Sequence, residues 1–342
     1  MLDLRSDTVT KPTAAMRRAM AEAEVGDDVL DGDPTVMRLQ AKTAELLGKE
    51  SALFFPTGTM ANLTALMVLG RPGTELLVDA DAHIVHQEMA GSASLAGLQL
   101  RALRGSGPVF DASALRAAFR MPSIHFPQQS VLAIENTHNG AGGKVTSLAA
   151  LAELRDIAHE RRLAVHLDGA RLWNATAATG TSLADFSACG DTVMVSFAKG
   201  LGAPVGAALA GTRDAMAAAW VARKRFGGGM RQSGVLAAAA LHGIEHHLPR
   251  IADDHARAKE FAALVAGAGG VTVVAPDTNI VMLDLPHGAT SIEIAARAKE
   301  RGVLISAWTT TRLRAVMHLD VDATDVKRAA EIVAQVLEEM RR

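Results

Sequence analysis

From Ala52 to Ala210 the chain alternates between short apolar runs and longer segments in which apolar residues return every three or four positions. The short runs predict strands at Ala52–Phe55, Glu75–Asp79, Leu98–Leu103, Val131–Glu135, Ala164–Asp168, Thr192–Phe197 and Val205–Ala210. The longer segments predict helices at Gly58–Leu69, Leu148–Arg162 and Gln232–His247. The run from Val131 to Ile134 is apolar at every position, as expected of a strand covered on both faces. The expected fold is therefore α/β, a mostly parallel seven-stranded sheet with helices on both faces and short crossovers.

Beyond His247 the pattern changes. A helix over Ile251–Ala268 precedes short strands at Val271–Val274 and Asn279–Asp284, then a helix over Ser291–Arg301. Strands near Val303–Ser306 and Leu313–His318 and a helix over Asp325–Arg341 complete the chain. This predicts an N-terminal arm over 1–20, a large α/β domain over 21–247 and a smaller α+β domain over 248–342. There is no internal repeat or low-complexity linker.

Composition narrows the function classes. The chain has 342 residues, 49% hydrophobic and 21% charged, enough for a substantial core. With 35 basic and 37 acidic residues the formal net charge is −2, which argues against electrostatic binding of nucleic acid or membranes. The single Cys189 rules out a disulfide framework and suits a reducing compartment. Residues 1–7 lack the basic-then-apolar pattern of a signal peptide, so a cytoplasmic enzyme is expected.

Four places carry candidate chemistry. Lys199 follows the apolar run Val193–Phe197 and precedes a glycine-rich stretch, whereas Lys42, Lys49, Lys259, Lys299 and Lys327 have charged or polar helical neighbours. A lysine at a strand end, partly withdrawn from water, loses some preference for its charged form and becomes a usable amine. Asp168 closes another apolar strand, and ligands gather at the carboxyl ends of such strands. Gly58 and Thr59 open a helix directly after a strand, where free N–H groups and the helix dipole suit a phosphate. His83 lies just past the strand Glu75–Asp79. Each has a plainer explanation taken alone: a lysine snorkelling from the core, an aspartate capping a helix, ordinary N-capping, a surface histidine.

Together these residues sit within longer motifs. They are Asp3–Thr10, Ala23–Asp28, Phe55–Met60, Ile134–Asn139, His166–Arg171, Ala198–Val205 and Gly227–Gln232. On these motifs the chain resembles, from end to end, the L-threonine aldolases, in the β-eliminating-lyase branch of fold-type-I pyridoxal-phosphate enzymes. The resemblance implies that Lys199 carries the cofactor as a Schiff base and that Asp168 meets its ring nitrogen. It implies that His83 stacks on the ring and is a candidate base for the substrate β-hydroxyl, with Gly58 and Thr59 at the phosphate. It also implies that Ser6, Arg171 and Arg314 hold the substrate carboxylate, a role that suits the planar guanidinium. A homotetramer with shared active sites is implied as well, Lys224 and Arg231 being candidates for residues lent between subunits. The implied reaction is retro-aldol cleavage of a β-hydroxy amino acid to glycine and an aldehyde. β-Elimination or transamination would use the same lysine and aspartate.

The chain departs from the family pattern at several positions. Leu30 and Gln87 stand where relatives carry aromatic residues, so a preference for bulkier substrates such as β-phenylserine is expected. Ala198 replaces a serine. His125 matches a position associated with substrate handling, although it equally fits a loop histidine packing on Phe126. No ligand set for a structural cation is visible.

Overall fold

The computed structural model describes residues 1–107 and 109–340; Arg341, the expected end of the last helix, lies outside them. Leu2–Asp3 forms β1, and seven strands make the central sheet: β2 (Ser51–Phe55), β3 (Glu75–Asp79), β4 (Gln99–Leu103), β5 (Gln129–Glu135), β6 (Ala164–Gly169), β7 (Thr192–Ser196) and β8 (Ala207–Gly211). Their order is β2-β8-β7-β6-β5-β3-β4, and only β8 runs against the others. All five residues of β3, β7 and β8 are buried, as the continuous apolar runs require. The parallel strands β5, β6 and β7 therefore deliver Glu135, Asp168 and Ser196 to the same edge.

The helix Gly58–Leu69 obeys its sequence signals. Thr57 caps it by accepting from the Met60 N–H at 3.1 Å, and the chain leaves it at Gly70. The expected helix over Gln232–His247 is regular only over Gly234–His242 and continues as a π-turn over Gly243–His247. Gly243 packs against Leu201 so closely that a Cβ there would lie 2.7 Å from the Leu201 carbonyl oxygen. Two further helices, Pro34–Leu47 and Arg213–Arg225, pack against the sheet.

The C-terminal unit has its own antiparallel sheet, β12-β13-β10-β9, formed by β9 (Thr272–Val274), β10 (Ile280–Asp284), β12 (Ser306–Thr309) and β13 (Arg312–Val316). The run expected as one strand near Val303–Ser306 is divided. Val303–Leu304 (β11) pairs in parallel with β1, and β12 begins after the buried Ile305. Of the residues read as an arm, Leu2 and Asp3 form β1, Leu4 enters the C-terminal core beside Phe261 and Leu313, and Met16 enters the main core. Among the described residues no helix is long and apolar enough to cross a membrane.

Candidate active site

The site lies where β6 and β7 end and the C-terminal unit meets the sheet. Asp168 is buried as the penultimate residue of β6; its Oδ1 accepts from the Ala170 N–H at 3.1 Å and its Oδ2 from Asn62 Nδ2 at 2.8 Å. Asn62 is brought there by the helix Gly58–Leu69, and Gly58 and Thr59, at its N-terminus, precede Asn62 by about one turn. The Asn62 amide is held in one orientation: its Oδ1 lies 3.0 Å from Nε2 of His166, and its Nδ2 also donates to Glu88 Oε1 at 2.9 Å. Burial pushes His166 down to about 4, so its ring is neutral and Nε2 can donate.

Glu88 continues the chain of contacts to His83, whose Nδ1 lies 2.8 Å from Glu88 Oε1. Ligand atoms of His83, Glu88 and Asp168 all lie within 4.8 Å of one another. These side chains are of types that hold a cation, but the Asn62 amide donates to both carboxylates and His83 is turned to Glu88, so the group is knit as a hydrogen-bond network. Glu135, at the end of β5, fixes the backbone by accepting from the His83 N–H at 2.7 Å and the Asn139 N–H at 2.8 Å. Burial opposes charge on His83, yet the bond to Glu88 and the carboxylates of Asp168, Glu88 and Glu135 prevail and raise it above the ordinary histidine value. Burial likewise raises Glu88, with Asp168 adding to the effect.

Lys199 follows β7 and is half-buried. Burial and the Arg171 guanidinium push its ammonium below the ordinary lysine value, against the carboxylates of Asp7, Asp168 and Glu135. Beside it stands a pair of arginines. Arg171 donates from Nε and Nη2 to the two oxygens of Asp7 at 2.8 and 2.7 Å, leaving Nη1 3.4 Å from Asn139 Oδ1. Arg314, from β13, donates to the same Asn139 oxygen at 2.8 Å and to the Arg5 carbonyl at 3.0 Å. Its Nε is buried without a hydrogen-bond partner, and its guanidinium stacks 4.4 Å from the Trp308 ring centroid. Burial and Arg171 lower Arg314 to about 10, so it stays charged at neutral pH. Alongside runs a cavity of about 480 Å³ bordered by His83, His86, Gln87, Asn139, Trp308 and Arg312.

Lys199, Asp168, His83, Arg171 and Arg314 thus lie in one region, linked through Asn62, Glu88, Asp7 and Asn139, with Gln87 on the cavity wall. The donor set fits pyridoxal phosphate: an amine with a depressed pKa, a buried carboxylate for a ring nitrogen, and a helix terminus for a phosphate. Ser6 stands between Arg5, whose carbonyl accepts from Arg314, and Asp7, which pairs with Arg171, whereas Leu30, His125, Lys224 and Arg231 fall elsewhere in the chain's own structure. Ser6 Oγ caps its own turn by accepting from the Thr8 N–H at 3.2 Å. Leu30 is 74% exposed, His125 lies in an exposed turn, and Lys224 is exposed. Arg231 is exposed and pairs with Asp27 at 3.2 Å.

The family model described as beta-eliminating lyase matches residues 3–287. The chain belongs to the beta-eliminating lyase family. Within this lyase family it is 41% identical over 334 residues to the low specificity L-threonine aldolase of Escherichia coli K12, covering 96% of this chain and 97% of that one. It is 39% identical over 333 residues to low-specificity L-threonine aldolase 1 of Arabidopsis thaliana, covering 95% and 93% of the two chains. The lyase fold also matches the solved threonine aldolase of Leishmania major with a TM-score of 0.83 at 19% identity, over 98% of this chain and all of that one. The fold-type-I architecture implied by the motifs is therefore the fold this lyase has. Sequence reasoning passed over Glu88, Asn62, Asp7, Asn139 and Trp308, although the first four stand within or beside the motifs that were read.

Proposed function

We propose that the protein cleaves L-threonine and related L-β-hydroxy-α-amino acids to glycine and an aldehyde, using pyridoxal phosphate. The observation that carries this reading is the convergence of Lys199 and Asp168 with a candidate base, His83, and a buried arginine, Arg314, whose Nε lacks a partner. Lys199 would hold the cofactor through its amine, Asp168 would keep its ring nitrogen protonated, and Gly58 and Thr59 would receive its phosphate. The bound cofactor supplies a conjugated ring that accepts the electron pair left on Cα when a bond to that carbon breaks.

The chain's own residues decide which bond breaks. Arg314 offers its free Nε to the substrate carboxylate. Arg171 assists from Nη1, because Asp7 has taken its other edge. Held there, the carboxylate would fix the substrate's rotation about Cα, so that Cα–Cβ rather than Cα–H is the bond set to break. His83 accepts the β-hydroxyl proton, and Lys199 Nζ returns a proton to Cα. The substrate side chain points into the cavity beside His83, where Gln87 and Trp308 leave room for an aromatic group such as that of β-phenylserine.

The same reading includes a homotetramer in which the exposed Lys224 and Arg231 reach a neighbour's cofactor and His125 and Leu30 border a neighbour's substrate. Exposed Met89, Leu95 and Ile124, at 92%, 56% and 97% of their surface, support burial against other copies.

Titrating the purified protein with pyridoxal phosphate and assaying aldehyde from L-threonine tests the proposal. A visible absorption band that is lost in Lys199→Ala, together with glycine and acetaldehyde in equal amounts, is the expected result. 2-Oxobutanoate and ammonia without aldehyde would replace this reading with β-elimination.

A further inference from the structure

The Glu88 side chain has no part in the chemistry above, yet it is a buried carboxylate with 6% of its surface exposed, in contact with the candidate base. Burial of a carboxylate is costly unless it is paired and hydrogen-bonded. Both conditions are met on one oxygen, Oε1, which receives the Asn62 amide at 2.9 Å and faces His83 Nδ1 at 2.8 Å. Asn62 cannot turn to relieve the crowding, because its own oxygen faces Nε2 of the neutral His166 and its nitrogen also serves Asp168.

We propose that Glu88 is a positioning residue that holds the proton of His83 on Nδ1, so that Nε2 carries the lone pair that accepts the substrate β-hydroxyl proton. The inference rests on the aldolase reading and names how its base is oriented. Glu88, His83 and the β-hydroxyl then form the carboxylate–imidazole–hydroxyl series by which acid–base sites choose a tautomer and stabilise the imidazolium that forms. In the step itself the O–H bond breaks and its proton moves to Nε2. The oxygen's electrons form the aldehyde C=O, and the Cα–Cβ pair stays with the glycine carbon. The imidazolium is balanced by the Glu88 carboxylate until the aldehyde leaves, and Nε2 then releases the proton to water, which reaches the one-third-exposed ring.

The charged groups around this ring are few. Glu88 touches it, Asp168 and Glu135 act through space, and His86, Asp81 and Arg312 share the cavity on the outer side. Glu88→Gln is the variant of choice, since its amide oxygen can still accept from Asn62 and from Nδ1 while the charge is gone. Glu88→Asp keeps the charge with a shorter reach.

The test follows two quantities in the cofactor-loaded enzyme. One is the pH dependence of kcat; the other is the pH dependence of diethyl pyrocarbonate modification of His83, which reports its neutral imidazole and is read by peptide mass spectrometry. In Glu88→Gln both half-points should move to lower pH by about one unit. The same variant should lower kcat by roughly tenfold as the base weakens, with KM little changed. Glu88→Asp should return both half-points toward the wild-type values. Unmoved half-points in a folded, cofactor-binding Glu88→Gln enzyme would overturn the proposal, as would a loss confined to KM. Failure of the aldolase reading would show separately, as absence of aldehyde from the wild-type enzyme.

Discussion

Asp7 and Arg171 lie 164 positions apart and meet through two hydrogen bonds, from Arg171 Nε to Oδ2 at 2.8 Å and from Nη2 to Oδ1 at 2.7 Å. Both side chains are buried, so neither charge can be relieved by water. This pair joins the first turn of the chain to the second residue past β6, and it commits one whole edge of Arg171 before any substrate arrives.

Asp7→Asn should therefore cost stability. It leaves a buried guanidinium without its counter-charge, a loss of about 3–5 kcal/mol for comparable pairs. Urea unfolding of the two proteins checks the size. The pH dependence has a definite sign: burial opposes the Asp7 charge, but Arg171 outweighs it and holds the carboxyl well below the ordinary aspartate value. A depressed carboxyl contributes stability that is present above its unfolded pKa and is lost as pH falls through the folded one. The gap between wild type and Asp7→Asn should stay constant through neutral pH and close only in strongly acidic solution.

Arg314→Ala should act on substrate binding first. A hydrogen bond to a charged group contributes about 1.5–3 kcal/mol, so KM for threonine should rise roughly tenfold to a hundredfold. The cofactor absorption band should persist. Loss of the band together with activity would mean that Arg314 serves the cofactor instead.

Trp308 covers the Arg314 guanidinium and borders the cavity beside His83. An aromatic substrate side chain placed there gains ring contacts worth about 0.5–1.5 kcal/mol beyond area burial. Trp308→Ala should lower kcat/KM for β-phenylserine several-fold more than for threonine, measured by aldehyde release. Equal losses on both substrates would remove Trp308 from the side-chain pocket. A wild-type enzyme that clearly prefers threonine would remove the expectation drawn from Gln87 and Leu30.

Gly234 approaches Asp33 so closely that a Cβ would lie 2.4 Å from Oδ1. That oxygen also caps the helix Pro34–Leu47, accepting from the Thr35 and Val36 N–H groups at 3.0 Å each. Gly234→Ala should force the cap apart and destabilise the protein by about 1–3 kcal/mol. A lowered melting temperature with unchanged cofactor binding is the expected result.

The inner strands of the central sheet were legible because β3, β7 and β8 are buried at every position and β5 and β6 at most, a pattern that leaves little choice of face or partner, whereas the edge strand β4 buries only Leu103. The helix Pro34–Leu47 carries written signals of its own, Asp33 as cap, Pro34 at the first turn and Gly48 in the left-handed conformation at φ 61°, yet it was not anticipated. Lys199 and Asp168 stood out because each ends an apolar strand. Glu88 and Asn62 did not, since a glutamate in a bend and an asparagine early in a helix look solvated until the fold buries them, Glu88 against His83 and Asn62 against Glu88 and Asp168. Arg171 looked like a free carboxylate clamp because nothing local in the sequence says that Asp7 returns to occupy it. His125, Lys224 and Arg231 matched family positions, but a single chain leaves all three exposed.

The tie between the chain's beginning and its far end also has a consequence for biosynthesis. Arg314 reaches the Arg5 carbonyl across 309 positions, and among the described residues β1 pairs with β11 alone. As the polypeptide leaves the ribosome, the central sheet can assemble while its first few residues still wait for a partner not yet made. The pocket would then be among the last parts to form, so an interrupted translation product would present a folded sheet without a working centre.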